Sequence, residues 1–203
     1  MKKIINQYFG GKRIIIFLVI IVIIQMVFSI VRFINHDPYV INPLYRLNPK
    51  LSLHMSSEGY TMTYPEVLNV TDYLNGSHGD PDIVTVMSNP LRYNYIEISR
   101  RKSPKPSVEN VLLWGQEKAK ISGESEEISR MEFTINRSTG ILREYNVYFS
   151  LLYNRRNDRC IDWYTVNENK EYDFSFCVDK KYWDLSKNTF MAMIESITFH
   201  PTP

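Results

Sequence analysis

Two cysteines, Cys160 and Cys177, are the only thiols in this chain of 203 residues, and their surroundings limit the chemistry open to them. They do not form a C-x-x-C pair, and no helix start stands beside either, so nothing in the pattern lowers a thiol pKa toward catalysis. The histidines, His36, His54, His78 and His200, are scattered without metal-ligand spacing, and we expect no metal site. Asp72, Asn75, Ser77, Asp80 and Asp82 crowd one segment and could offer oxygen ligands to calcium. Their spacing is not that of an EF-hand, however, and such clusters make turns. No serine sits in a nucleophile elbow, and no glycine-rich loop is built to hold phosphate. Glu124, Glu126 and Glu127 read as an acidic connection rather than a catalytic pair. We therefore expect no catalytic residue, no cofactor and no small-molecule substrate.

The chemistry left to the cysteines depends on the elements that carry them. Cys160–Val166 and Glu171–Val178 read as two strands of a hairpin joined by Asn167–Lys170. If Val166 pairs with Glu171, Cys160 falls opposite Cys177, Ile161 opposite Phe176, Trp163 opposite Phe174 and Thr165 opposite Tyr172. One face is then aromatic and buried, and its reverse carries the cysteines, Asp162, Tyr164 and Asp173. A slip of one residue would ruin both patterns. A Cys160–Cys177 disulfide then acts as a structural staple or as a redox switch. In a compartment that is not oxidising the two thiols stay unpaired.

The compartment follows from the other end of the chain. Ile14 to Val31 reads IIIFLVIIVIIQMVFSIV, an uncharged run long enough for one helix to cross a bilayer. Lys2, Lys3, Lys12 and Arg13 precede it and only Arg32 closely follows, so the positive-inside rule keeps the N-terminus cytoplasmic. With no small-residue cleavage site after it, the segment reads as an uncleaved signal anchor. We expect a single-pass cell-membrane protein with a cytoplasmic tail (1–13), a transmembrane anchor (14–34) flanked by Lys12, Arg13 and Arg32, an extracytoplasmic stalk (35–55) and a domain (56–203).

Formal net charge is +2, and part of it sits in the tail, so the exported part is near neutral and gives no reason to expect nucleic-acid binding. Fourteen tyrosines, ten phenylalanines and three tryptophans suit a sheet-rich domain. Strands are expected over 59–65, 83–88, 94–100, 131–136 and 142–152, beside the cysteine hairpin, with Asn69–Asp82 a loop. Ser107 is placed to cap a helix running to Lys120, closed by the polar GESEE, and RSTG should turn between the strands at 131–136 and 142–152. Leu185–Glu195 forms a second helix. Strands outnumber helices and follow one another through short turns, which gives the α+β class: an antiparallel sheet flanked by helices and preceded by one transmembrane helix.

The order of these elements resembles the Mog/PsbP-like fold. The resemblance rests on an opening GYTMTYP strand, the middle helix SVENVLLWGQEKAK, an aromatic hairpin and the terminal FMAMIESITF. It covers roughly Tyr60 to Phe199 and implies an α/β/α sandwich without a shared catalytic site, in a family whose members mostly act by binding. No functional residue carries over from it.

Taken together, these features make a non-enzymatic extracytoplasmic accessory module that binds a protein partner. Candidate contacts are Tyr93, Arg155, Arg156 and Tyr164, read as exposed. An envelope redox protein using Cys160 and Cys177 is the alternative. A module for anionic polymer or lipid is another, using Arg100, Arg101, Lys102 and Lys105 with Arg155, Arg156 and Arg159. Asn69, Asn75 and Asn136 head N-x-S/T triplets, which matter only in a host that glycosylates exported chains.

Overall fold

The computed structural model describes residues 19–27, 50–73, 76, 80–88, 94–151 and 154–201. The chain divides into two units, Met1–Arg46 and Leu47–Pro203. In the first, residues 19–27 are helical and mostly exposed apolar side chains. Among the described residues no helix is long and apolar enough to cross a membrane. The rest of the apolar run, its flanks Lys12, Arg13 and Arg32, and positions 35–49 of the expected stalk lie outside the described residues.

The second unit is built on a seven-stranded antiparallel sheet of order β3-β4-β5-β9-β8-β7-β6. Its strands are β3 (Asn69–Asp72), β4 (Ile83–Ser88), β5 (Asn94–Lys102), β6 (Glu124–Ile135), β7 (Ser138–Leu151), β8 (Asn154–Asn167) and β9 (Lys170–Asp179). One face is covered by α1 (Val108–Ser122). The other is covered by α2 (Trp183–Glu195) and a small sheet of β1 (Leu51–Ser56), β2 (Tyr60–Pro65) and β10 (Thr198–Phe199), in the order β1-β2-β10. This is the expected α+β arrangement of antiparallel sheet flanked by helices.

Local chemistry explains most of the element ends. The Ser107 hydroxyl accepts the Asn110 N–H at 3.1 Å and caps α1 as expected. Asn136 and Arg137 both have positive φ, 45° and 74°, and make a two-residue hairpin turn between β6 and β7. Gly59, at φ 92°, closes the β1–β2 hairpin, where a side chain would be strained.

Several boundaries differ from expectation, among them the start of β8, which lies at Asn154 rather than Cys160. Leu51–Ser56, counted within the stalk except for its last residue, pairs along its whole length with β2 and belongs to the domain. Its serines and single histidine blur the hydrophobic alternation that marks a strand. Asn69–Asp72 opens the expected loop as β3, paired with β4. The polar residues after α1 do not form a connection: Glu124–Glu127 begin β6 and pair with Asn146–Tyr148 and Tyr145 of β7. The turn expected at RSTG falls one residue earlier, at Asn136 and Arg137.

The cysteine hairpin has the expected register. Val166 faces Glu171, Cys160 faces Cys177, Ile161 faces Phe176, Trp163 faces Phe174 and Thr165 faces Tyr172. Trp163, Phe174, Phe176 and Tyr172 are fully buried and form the main core. Phe174 lies 5.3 Å from Tyr60 of the small sheet, edge to face, and Phe176 lies 5.7 Å from Phe190 of α2. The reverse face is not open to solvent. Cys160, Asp162, Tyr164 and Asp173 are buried as well, because α1 lies across them.

Candidate functional site

The side chains with the greatest chemical potential are gathered under α1. Alternation along four adjacent strands brings one polar set to this face: Glu97, Ser99 and Arg101 from β5, Glu171, Asp173 and Ser175 from β9, Asp162 and Tyr164 from β8, and Arg143 and Tyr145 from β7. The helix adds Lys118 and Trp114 above them. Gly115 is what lets α1 come so close, since a Cβ there would stand 2.2 Å from the Tyr164 ring.

Several charges are paired within the layer. Lys118 donates to Glu97 at 2.7 Å and also to the Ser99 hydroxyl, and Tyr95 donates to Glu97. Arg101 pairs with the fully buried Glu171 at 2.6 Å and lies over the Trp114 ring at 4.6 Å. Arg143 donates to Glu127 at 2.9 Å and covers the Tyr145 ring at 4.2 Å. Tyr164 donates to Asp162 at 2.6 Å.

Burial dominates the protonation of this layer. It pushes the Asp162 carboxyl above the usual carboxylate range, against hydrogen bonds from Tyr164, Ser175 and Tyr145 and the charge of Arg143. Asp173 is raised further, first by burial and then by the neighbouring Asp162 carboxylate, with Lys118 opposing. One Asp173 oxygen, Oδ1, has no hydrogen-bond partner among the described residues. Burial likewise raises the Tyr145 and Tyr164 phenols well above their ordinary value. A proton held on this carboxylate pair removes one buried negative charge, which is the chemistry the arrangement supports. Asp162, Asp173 and Tyr164 are at most 4% exposed, so no substrate reaches them in this conformation. Among the described residues no three histidine, cysteine or acidic side chains are arranged to hold a metal ion.

The cysteines sit at the edge of this layer, joined in a disulfide. Cys160 is fully buried against Ala119, Tyr145 and Val147. Tyr164, expected as an exposed contact, is instead a buried member of the layer, because its ring lies beneath Gly115. Arg155 and Arg156 occupy β8 opposite Ser150 and Phe149, and Tyr93 lies outside the described residues. Of the expected site residues the structure thus joins Cys160 and Cys177, while Tyr164 packs separately against Val111, Leu112 and Trp114. Sequence reading missed Glu97, Lys118, Arg143 and Gly115. The legible signals were a glycine within an otherwise regular helix and the alternating Glu97, Ser99 and Arg101 on a strand that carries Ile96 and Ile98 on its other face.

The opposite face carries a cleft of about 160 Å³ between α2 and strands β6 to β8, lined by Met131, Phe133, Leu142, Ile161 and Met191. Glu144 stands beside it, paired with Arg159 at 2.6 Å and with Lys187 at 3.0 Å.

This two-face arrangement has counterparts among solved structures. The chain is similar to cyanobacterial PsbP (CyanoP) from Synechocystis sp. PCC 6803, with a TM-score of 0.56 and 17% identity over 75% of this chain and 94% of that one. It is also similar to the Saccharomyces cerevisiae Ran-binding protein Mog1p, with a TM-score of 0.51 and 8% identity over 75% of this chain and 96% of that one. The domain has the PsbP/Mog1-like fold. No family model matches the chain, and no curated protein matches its sequence. At these identities the PsbP/Mog1-like likeness concerns the fold and not the activity.

Proposed function

We propose that this chain is a non-enzymatic accessory module, tethered to the cell membrane with its PsbP/Mog1-like domain outside, which binds a protein partner. The apolar run Ile14–Val31, with its basic N-terminal flank, supports the tether and the orientation. Most of the charged groups under α1 pair with one another, and Asp162, Asp173 and Tyr164 are covered, which suits a scaffold better than a reaction centre. A fold shared with a Ran-binding protein is consistent with binding a protein.

The observation that carries the reading is the outer face of β1. Leu51, Leu53 and Met55 alternate along this edge strand and are 51%, 61% and 72% exposed. Three large apolar side chains in one row make a contiguous patch, whereas single exposed apolar residues need no explanation. Tyr93, Arg155 and Arg156 are proposed as further contacts.

In-cell crosslinking of the full-length protein, read by mass spectrometry, tests this. A saturable protein partner is expected for the native chain, and it should be lost in Leu53→Ser/Met55→Ser. Crosslinks that persist unchanged in that variant, or no specific partner for the native chain, would defeat the reading.

A further inference from the structure

The seven-stranded sheet ends on β6, a 12-residue strand, and among the described residues no strand pairs with its outer edge. Long uncovered edges are templates for pairing with another chain. The side chains of β6 divide cleanly. Ser129, Met131 and Phe133 face the cleft beside α2, and Arg130 and Glu132 therefore face the other way. Ile128 and Met131 are 42% and 53% exposed, an apolar content that a free edge normally lacks.

We propose that β6 pairs antiparallel with β6 of a second copy of this chain, centred on Met131, to give a two-fold symmetric dimer with one continuous sheet. Directly opposite residues share a face, so a strand paired with its own copy about a two-fold axis must centre on a single residue. The bulge between Glu127 and Ser129 confines regular pairing to the segment from Ser129 to Ile135. The charges then choose within it. Centring on Arg130 sets that arginine against itself, and centring on Glu132 sets two glutamates face to face, both unfavourable. Centring on Met131 places Arg130 opposite the partner's Glu132 and Glu132 opposite the partner's Arg130. Centring on Phe133 brings no opposite charges together. The Met131 register also aligns Ser129 with the partner's Phe133 and sets the partner's Met131 beside the apolar mouth lined by Met131, Phe133 and Met191. Arg130 already holds Glu127 at 2.7 Å while 41% exposed, so its guanidinium stays within reach of a second carboxylate.

The test uses the full-length chain in detergent or nanodiscs. Both native cysteines are in the disulfide, so an introduced thiol reports alone. Met131→Cys is expected to give an interchain-crosslinked dimer on mild oxidation, and Met55→Cys on the distant edge strand β1 is expected not to. Arg130→Glu and Glu132→Arg, each introduced beside Met131→Cys, should lose the crosslink. The double reversal Arg130→Glu/Glu132→Arg should restore it, and unchanged thermal unfolding of each variant shows that folding is not the cause. A monomer by light scattering, equal crosslinking at 131 and 55, or a crosslink indifferent to charge reversal would overturn the proposal. A Met131→Cys crosslink in cells to a different protein alone would also overturn it, in favour of a foreign extended segment on the same edge.

Discussion

The two faces of the seven-stranded sheet are both covered at their centres and differ there in chemistry. Toward α2 and the small sheet, Trp163 and Tyr60 meet Phe174 ring to ring and Phe176 meets Phe190, and the stabilisation scales with the apolar area removed from water. Toward α1, the same strands present Glu97, Asp162, Asp173, Arg143 and Glu171. Burying those groups costs free energy that matched pairs only roughly recover. The first face therefore holds the domain together. The second fixes where α1 sits, since few other placements of the helix would keep Lys118 on Glu97 and Gly115 over Tyr164. Adhesion and registration are divided between the two sides of one sheet.

That division is open to test by substitution, beginning with the aromatic side. Phe174→Ala should destabilise the domain by about 3–5 kcal/mol, read from urea unfolding of the purified chain, because it empties the centre of the ring cluster. A loss no larger than that of a surface substitution would break the comparison. Cys160→Ser with Cys177→Ser should cost about 3 kcal/mol in the chain-entropy account for residues 17 apart in sequence. The folded spectrum should be unchanged under conditions where the domain remains populated.

Gly115→Ala pits two effects against each other. Alanine improves helix propensity by about 1 kcal/mol. Its methyl group would collide with the Tyr164 ring, and overpacking costs about 1–3 kcal/mol before the strained Tyr164–Asp162 bond is counted. A net loss is expected, and Gly115→Val should lose more. Stabilisation by alanine would show that α1 is free to shift.

The smallest effect is expected from Asp173→Asn, and it depends on pH. The folded-state pKa of Asp173 lies above its ordinary value of 3.8, so the native state binds the proton more tightly than the unfolded state. Stability from this group is fully present below that ordinary value and is lost as pH rises through the folded pKa. Asparagine mimics the protonated form. The variant should match the native chain near pH 4 and equal or exceed it above neutrality, with a flatter stability profile. A variant that is less stable at every pH would show the carboxylate to be charged and needed.

Legibility in the sequence differed between the same two faces. The aromatic face was readable residue by residue, because period-two alternation of Ile161, Trp163 and Phe174, Phe176 admits one register. The ionic face was not, because polar side chains on alternate strand positions read as solvent-facing. Only the tertiary placement of α1 turns Asp162, Tyr164 and Asp173 inward. β1 was missed for a related reason: Ser52, His54 and Ser56 stand on its inner side where a sequence pattern asks for apolar residues. The edges fared no better, since Glu124–Glu127 look like the end of a helix until β7 is beside them.

The small sheet adds a consequence in time. β2 lies between β1 and β10, so its middle position is completed by partners from both ends of the domain. Thr61 and Thr198 meet although they lie 137 positions apart in the sequence. Asn136, in the β6–β7 turn, fastens the same late segment by donating to the Ile197 carbonyl at 2.8 Å. Contacts so distant along the chain form slowly, and these await emergence of the last strand. During synthesis the small sheet would therefore stay open until Phe199 had emerged, and it would close last.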